Sequence, residues 1–360
     1  MNIFTEYVAL DIGTHAVKAL SLNPGPGGAG YVISDHLQEE LPQGLVSGGF
    51  TNPTVSDPAK FEKVMKLIAA RLRSHKEGFL IGLPDRWVKL HLVDLTAKRE
   101  EMASPEYVAW RLQKQLLPPD MVGEVVVDFQ ILGTFDTPDG LSCRILAGMV
   151  RKSMIDLLSG MFANLQLEVM AFDTSTLGVY NLLEDSHPEK TLDRPIILCH
   201  IGHETTVIKI FEKGILVYER VIEVGGEAFG KLLAEAENIS YDEAQTQKSK
   251  RRFFPLSRQD LFAAIPQRHL FERVFGNWLR ELHVTFRFYQ DRGKIMGLPP
   301  IYLSGGSALF DGLPEFLTDF FETPCRRFNP LVDLPTSGEI RPDILAQGPL
   351  LAPALGLLAR

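Results

Sequence analysis

The sequence is poor in cysteine, in excess basic charge and in long apolar runs. Its 3 cysteines, Cys143, Cys199 and Cys325, lie far apart. An odd number of widely spaced cysteines argues against a disulfide framework and is typical of a reducing compartment. No Cys-x-x-Cys pair or His-rich spacing indicates a zinc site.

Basic residues are outnumbered, since 37 Lys and Arg against 45 Asp and Glu give a formal net charge of -8. A protein that binds a phosphate backbone concentrates positive charge, so we expect no nucleic-acid partner. The N-terminus has no basic segment before a long apolar core and is not a signal peptide. The apolar stretch from Leu350 to Ala359 is too short to span a bilayer. We predict a cytoplasmic protein with no membrane span of its own.

What the chain does have is enough apolar residues for more than one core. A length of 360 residues, 45% of them hydrophobic, predicts two lobes. The polar, proline-bounded segment HPEKTLDRP, from His187 to Pro195, is the best boundary. We therefore predict an α/β protein with lobe I at 1–194 and lobe II at 195–360.

Two segments follow one pattern, ALDIGTHAVKAL from Ala9 to Leu20 and LCHIGHETTVIKIFEKG from Leu198 to Gly214. In each, an apolar run ends in Ile-Gly, turns through small polar residues and resumes as an apolar run with a lysine. The pattern predicts a β-hairpin whose glycine turn brings backbone N–H groups close to a phosphate. Two such hairpins half a chain apart predict related lobes with a nucleotide in the cleft between them.

Each lobe is also predicted to hold an additional subdomain. A β-α-β-β unit at about 86–150 is predicted as an insertion in lobe I, with a helix from Pro105 to Leu116. In lobe II we predict a helical subdomain at about 231–299. It includes a helix start with a capping box at Ser240 and Glu243 and a long helix from His269 to Asp291.

The first turn offers groups suited to phosphate and magnesium. Asp11 could hold Mg²⁺ through water, Gly13, Thr14 and His15 could donate hydrogen bonds to phosphate oxygens, and Lys18 could neutralise phosphate charge. Taken alone, the same residues also fit an ordinary surface hairpin.

The second turn differs at one position. His200 stands where the first turn has Asp11, and a histidine is a poor magnesium ligand because hard cations select oxygen. We expect His200 to be a hydrogen-bonded histidine of the core or the cleft rather than a catalytic residue. The candidate phosphate-side residues of this turn are Gly202, Glu204, Thr205 and Thr206.

Two further glycine pairs are predicted to precede helices, whose N-termini present unpaired N–H donors. They are Gly225-Gly226 and Gly305-Gly306, the second followed by Ser307. The basic run KSKRR at 248–252 is expected to be a solvated face. Lys248 is set apart from it because it lies on a capped helix near Gln245.

Taken in order, these motifs resemble those of the actin-like ATPase superfamily. LDIGTHAVK resembles its first phosphate loop, HIGHETT its second and YLSGGSALFDGL its adenosine loop. Within that superfamily the chain resembles the PilM family of type IV pilus assembly proteins, relatives of FtsA. VGGEAFGKLLAEAENISYDEAQTQK, SGGSALFDGLPEFL, the Asn329-Pro330 pair and the terminal ALGLLAR are similar to that pattern. The resemblance implies an actin-like two-lobe fold with duplicated ribonuclease-H-like lobes and an FtsA-like inserted subdomain.

The resemblance also implies ATP and Mg²⁺ as cofactors. It implies phosphate and magnesium contacts for the residues named in the two turns, with Asp11 holding the metal through water. Gly225, Gly226, Gln245 and Lys248 would lie by the ribose, and Gly305, Gly306 and Ser307 by the adenine. His200 replaces the second-loop Asp, Gln245 the usual ribose-side Glu and Ser307 a third Gly. We therefore expect nucleotide binding with weak or absent hydrolysis, and assign no catalytic residue.

The function that the resemblance implies is a cytoplasmic scaffold at the inner face of the inner membrane. It would bind the N-terminal tail of a PilN-like membrane protein and other pilus or secretion assembly proteins, and it could form a homo-oligomer. One alternative is the actin-like component of a type II secretion system. Another is a small-molecule kinase, with Asp173 as base, although Asp173 also fits a helix cap before Thr174. An FtsA-like division role is the third alternative. FtsA-like proteins bind the membrane through a C-terminal amphipathic helix, whereas the last helix of this chain is predicted to pack in the core.

Overall fold

The structure is a computed structural model that describes residues 3–73, 76–138, 140–186, 194–250, 254, 265–293 and 296–359. Residues 187–193, most of the predicted lobe boundary, lie outside the described residues. Residues 251–253 and the side chains of 249 and 250 do so too, and with them most of the basic run. The lobe boundaries therefore stay predictions.

Strands and helices alternate along the chain. The strands are β1 (Tyr7–Ile12), β2 (Ala16–Pro24), β3 (Tyr31–Glu40), β4 (Val46–Ser47), β5 (Thr54–Val55), β6 (Gly78–Leu83), β7 (Val88–Ala97), β8 (Val125–Thr137), β9 (Gly140–Arg151), β10 (Val169–Thr174), β11 (Ile196–Ile201), β12 (Thr206–Glu212), β13 (Ile215–Ile222), β14 (Ile301–Ser304) and β15 (Cys325–Arg327). The helices are α1 (Pro58–Arg71), α2 (Arg99–Met102), α3 (Pro105–Leu116), α4 (Lys152–Asn164), α5 (Leu177–Ser186), α6 (Gly226–Glu237), α7 (Tyr241–Lys250), α8 (Ile265–Gly293), α9 (Leu313–Phe321), α10 (Pro330–Asp333), α11 (Pro342–Leu345) and α12 (Gly348–Leu358).

Several helices begin at a polar cap followed by proline. Asp57 and Ser104 accept hydrogen bonds from backbone N–H groups of the first turns of α1 and α3, and each is followed by a proline. Asn329 does the same before Pro330 at the start of α10. A side-chain acceptor at the cap and a proline at the first helical position both favour a helix start. The Asn329-Pro330 pair is therefore a helix start.

Two five-stranded sheets have the same plan. The first has the order β10-β6-β1-β2-β3 and the second the order β13-β12-β11-β14-β15. In each, the first three strands in sequence pair antiparallel, and two later strands pair in parallel on the other side. The two hairpins that the sequence predicted to be related thus belong to two sheets with the same strand order and the same strand directions.

The segment between β6 and α4 forms the predicted β-α-β-β unit. Its three strands pair antiparallel in the order β7-β9-β8, and α2 and α3 cover one face. Their shared core includes Leu95, Val108, Leu112 and Ile145. This unit, called the insert below, confirms the predicted subdomain.

A central core joins the two sheets. Ala9 and Leu20 of the first sheet and Leu198 of the second share one apolar cluster with Leu351 and Leu355 of α12. The predicted packing of the last helix is confirmed, since its residues are almost all buried. Across the described residues, no helix has the length and the apolar character that crossing a membrane requires.

The structure corrects two details of the sequence analysis. Strand β3 was not predicted, because its mixed polar pattern reflects a half-buried edge of the sheet. The helix expected from about Thr174 begins instead at Leu177, and Thr174 Oγ1 accepts its N–H at 3.1 Å. Asp173 is therefore the next-to-last residue of β10, not a helix cap, and the cap interpretation was wrong.

Candidate functional site

The two glycine turns have the same backbone hydrogen bond. Gly13 N–H donates to Ala16 O at 3.1 Å in the first, and Gly202 N–H donates to Thr205 O at 2.9 Å in the second. A Cβ at either glycine would lie 3.0 or 3.1 Å from that acceptor oxygen, which is tighter than side chains normally tolerate. Glycine thus allows the tight turn.

A cleft of about 780 Å³ brings the two turns together. Its lining includes every predicted site residue except Thr206 and Gly225. These residues are Asp11, Gly13, Thr14, His15, Lys18, Gly202, Glu204, Thr205, Gly226, Gln245, Lys248, Gly305, Gly306 and Ser307. The convergence expected from the repeated turns is therefore present, and its volume lies in the range of about 300–1,000 Å³ typical of small-molecule sites.

The two residues outside the cleft support it from behind. Thr206 is fully buried, donates to Val224 O at 2.8 Å and accepts from Trp278 Nε1 at 2.9 Å. Gly225 caps α6 and packs against the carbonyl of His203. Neither Thr206 nor Gly225 lines the cleft, so both residues support its wall rather than face a ligand.

The N-terminus of α6 differs from the expectation. Gly226 N–H donates to Gly202 O at 3.0 Å and Glu227 N–H to His203 O at 2.7 Å. The prediction of unpaired donors at this helix start was wrong for these two groups, because the second turn itself caps the helix. The glycines allow that close packing.

The first turn pairs its two charges. Lys18 Nζ lies 2.8 Å from Asp11 Oδ2, and both side chains are nearly buried, with 12% and 4% exposed. The register places Lys18 directly across from Asp11 on the hairpin. This pair lies in the cleft where the sequence predicted phosphate and magnesium.

The second turn has an uncharged imidazole at the matching position. His200 Nδ1 lies 3.1 Å from Ser304 Oγ at the end of β14. Burial lowers the pKa of His200 to about 4, although Asp85 and Asp11 oppose that shift. His200 is therefore neutral at physiological pH and lines the cleft as a hydrogen-bonding group.

Histidine rings from the two turns also meet. His15 and His203 are stacked, with ring centroids 4.4 Å apart. Burial and then the neighbouring His15 lower the pKa of His203 to about 4. A second contact lies between the loop after β3 and the first turn of α6, where Gln43 Nε2 donates to Glu227 Oε1 at 2.8 Å. The two turns thus touch at this end of the cleft.

A buried charge network at the cleft was missed from the sequence. Lys209 of β12 is 1% exposed and lies 2.7 Å from Asp85 Oδ1 and 3.1 Å from Glu219 Oε2. Thr176 Oγ1 accepts from Lys209 and donates to Asp85. The carboxylates raise the pKa of Lys209 against the opposing effect of burial, and Lys209 lowers that of Asp85. The lysine of the second hairpin is thus structural, unlike Lys18.

Arg86 was also missed. Its guanidinium group lines the cleft and pairs with Glu204 of the second turn and, at 3.0 Å, with Glu223. Its buried Nε has no hydrogen-bond partner among the described residues. Arginine recognises oxyanions with several N–H donors at once, so the two ion pairs do not use the full donor capacity of this guanidinium group. No spacing rule pointed to this residue, since its partners lie far away in the sequence.

The second glycine pair forms the part of the cleft wall next to the second turn. Gly305 has φ of +90°, and a Cβ there would lie 2.5 Å from Ile201 O, so only glycine fits. It leads into a short 3-10 turn rather than an α-helix.

Two basic side chains support this part of the cleft. Lys248 donates to Gly226 O, and burial lowers the pKa of Lys248 to about 8. Arg327 fixes the turn by donating to Ala308 O at 2.8 Å and to Phe310 O.

Asp173 is not part of the cleft lining and is exposed. Its Oδ1 accepts the N–H of Thr174 at 2.7 Å. A general base must reach the proton that it removes. The position of Asp173 therefore does not favour the kinase alternative.

The chain belongs to the family of type IV pilus assembly protein PilM, whose family model matches residues 9–360. Over 98% of its length the chain is similar to a chain of a PilM-PilN type IV pilus biogenesis complex, with 22% identity, a TM-score of 0.78 and 97% of that chain covered. A comparison with curated proteins gave no significant match.

More distant structures share the fold. Ethanolamine utilization protein EutJ from Carboxydothermus hydrogenoformans has 14% identity and a TM-score of 0.54, covering 98% of this chain and 88% of that one. MreB5 of Spiroplasma citri bound to ADP has 13% identity and a TM-score of 0.51, covering 97% and 94%. Such identities show the fold alone. The actin-like two-lobe fold with its insert is confirmed.

Proposed function

We propose that this protein is an adenine-nucleotide-binding scaffold of type IV pilus assembly. The observation that supports it most is the cleft itself, in which the two glycine turns and the turn at Gly305 converge. Membership of the PilM family supplies the pilus context. The MreB5 structure of the same fold is bound to ADP, which supports a nucleotide as the ligand.

The residues present fit a nucleotide with magnesium. The guanidinium group of Arg86 and the ammonium of Lys18 would meet phosphate oxygens. Gln245 and Lys248 would lie by the ribose and Gly305, Gly306 and Ser307 by the adenine. Asp11 would hold Mg²⁺ through water, with the phosphates as its other ligands. When bound, the ion neutralises phosphate charge.

We infer that hydrolysis is slow or absent. The second turn has the neutral His200 at the position where a carboxylate would orient a metal-bound water. In the first turn, the carboxylate of Asp11 is already in an ion pair with Lys18. A misplaced positioning group can reduce a rate by about 10²-fold. The nucleotide would then be a structural ligand.

Calorimetric titration of ADP with Mg²⁺ tests the site. We expect saturable binding, weakened at least about tenfold by Gly13→Ala, whose new Cβ would crowd the first turn. Gly160→Ala is the matched control, since a Cβ at this exposed helix position has nothing within 4 Å. Melting temperatures of both variants report whether the fold is intact. No heat with ADP or ATP would contradict the proposal.

The partner that we propose is the N-terminal tail of a PilN-like inner-membrane protein, bound in a groove of the first lobe. The solved relative with a TM-score of 0.78 comes from a PilM-PilN complex, which supports this choice. Such a tail would hold the protein at the cytoplasmic face of the inner membrane. A synthetic tail peptide should bind the full chain in fluorescence anisotropy, and a scrambled peptide should not. Equal binding of both peptides, or of neither, would overturn this assignment.

A further inference from the structure

The insert starts at the edge of the cleft. Its first strand, β7, follows directly on a 3-10 turn formed by Asp85, Arg86 and Trp87, called the junction turn below. Asp85 and Arg86 line the cleft. The three side chains of the junction turn are held by different parts of the molecule.

Two of them are fixed to the second sheet. Asp85 binds Lys209 of β12 in the buried network, and Arg86 binds Glu204 in the second glycine turn and Glu223 just after β13. Removing a single partner from a buried charge pair is strongly unfavourable, so the Asp85 contact is firm. These contacts attach the junction turn to the second sheet and to the loops at its edge.

The third side chain is fixed to the first half of the chain. Trp87 is fully buried in the core beside the first sheet, and its Nε1 donates to Ser47 O at 2.8 Å. Packed cores change between discrete arrangements rather than deforming continuously. A change in the relative position of the two sheets must therefore alter the contacts of the junction turn.

The insert also rests directly on the second sheet. Leu90 of β7 and Leu146 of β9 pack against the central core, to which β12 and β13 contribute Phe211 and Leu216. The base of the insert thus packs near the sheet to which the junction turn is bound. Arg86 differs from its neighbours because one of its buried donors has no partner in the described residues.

We propose that Arg86 binds a phosphate oxygen of the nucleotide and transmits the occupancy of the cleft to the insert. A phosphate in the cleft adds an acceptor for the guanidinium group of Arg86 and repels Glu204, which is bound to the same group. The balance of contacts at the junction turn then shifts, and with it the base of the insert. This inference rests on the proposed function and makes Arg86 a positioning residue for the insert. Coupling of this kind acts equally in both directions.

Hydrogen exchange of the full chain, with and without saturating ADP and Mg²⁺, tests the proposal. In the wild type, ADP should slow hydrogen exchange at least about fivefold in peptides that cover residues 84–97. A factor of about five is the lower end of the coupling usually found between two linked sites. Arg86→Gln at its own saturating ADP should lose this slowing, and Arg86→Lys should keep part of it. Arg99→Ala is the control, because it removes an exposed ion pair of the insert with Asp136. It should behave as the wild type.

A binding cycle distinguishes failure of the inference from failure of the proposed function. ADP should change the affinity for the PilN-like tail peptide at least about fivefold in the wild type and not in Arg86→Gln. If ADP and the peptide bind but neither exchange nor affinity responds, the inference fails and the proposed function stands. An undiminished response in Arg86→Gln also overturns the inference. If calorimetry shows no ADP binding, the proposed function itself fails.

Discussion

Asp11 and His200 occupy matching positions in two turns of the same backbone geometry. Each precedes Ile-Gly, and each glycine donates to the residue three positions later. Asp11 is paired with Lys18 across its hairpin, whereas His200 is neutral, faces Val207 in its hairpin and contacts Ser304. The fold repeats the turn, but the strand position before Ile-Gly has a carboxylate in the first turn and a neutral imidazole in the second.

The lysines of the two hairpins differ in the same way. Lys18 lies in the cleft and pairs with one carboxylate among the residues that the structure describes, whereas Lys209 is buried with two carboxylates. The registers explain this difference, because Lys18 faces Asp11 near its turn while Lys209 faces Leu198 two residues further from its own. The first lysine is placed for a ligand and the second for stability.

Replacing Lys209 should have the largest effect. Lys209→Met leaves Asp85 and Glu219 buried without their cation, which should lower the free energy of unfolding by about 3–5 kcal/mol. Urea denaturation followed by circular dichroism measures it. Lys213→Met, an exposed position at the end of the same hairpin, should change it by less than about 0.5 kcal/mol. Equal losses in the two variants would remove the distinction between the lysines.

A carboxylate in the second turn should make the two turns alike. His200→Asp supplies the missing oxygen ligand, and we expect ATP turnover with Mg²⁺ to rise by up to about 10²-fold over the wild type. The control is His203→Asp, which adds the same charge in the turn after β11 rather than at the strand position that matches Asp11. Brisk hydrolysis by the wild type that His200→Ala abolishes would contradict this account of the asymmetry.

Removing the lysine of the first turn should weaken nucleotide binding. Lys18→Met removes a charge facing the cleft, and ADP affinity should fall about tenfold, since hydrogen bonds to charged groups contribute about 1.5–3 kcal/mol. Calorimetry with Lys60→Met, a surface lysine of α1, as control measures the change. An unchanged affinity would show that Lys18 serves only to neutralise Asp11.

The sequence predicted the features that depend on local pattern. The hairpins, the insert, the long helix and the capping box at Ser240 all follow from periodicity and turn chemistry, and glycine spacing predicted the turns that meet in the cleft. Arg86 and Lys209 could not be found this way, because their partners are set by tertiary packing across the two sheets. The start of α5 was misplaced because Asp173 and Thr174 are equally good caps by composition.

The second turn should also give the protein a weak acid sensitivity. The pKa of His203 in the folded chain, about 4, lies below its ordinary value of 6.5, so the folded state favours the neutral ring. This contribution to stability is complete above pH 6.5 and is lost as the pH falls toward 4. The ring is partly exposed, so we expect His203→Gln to reduce the loss over this range by only about 1 kcal/mol. Urea denaturation at pH 7 and pH 4.5 measures the difference, with exposed His269→Gln of α8 as control. Identical pH dependence in the wild type and His203→Gln would show that burial and the neighbouring His15 do not oppose protonation of His203.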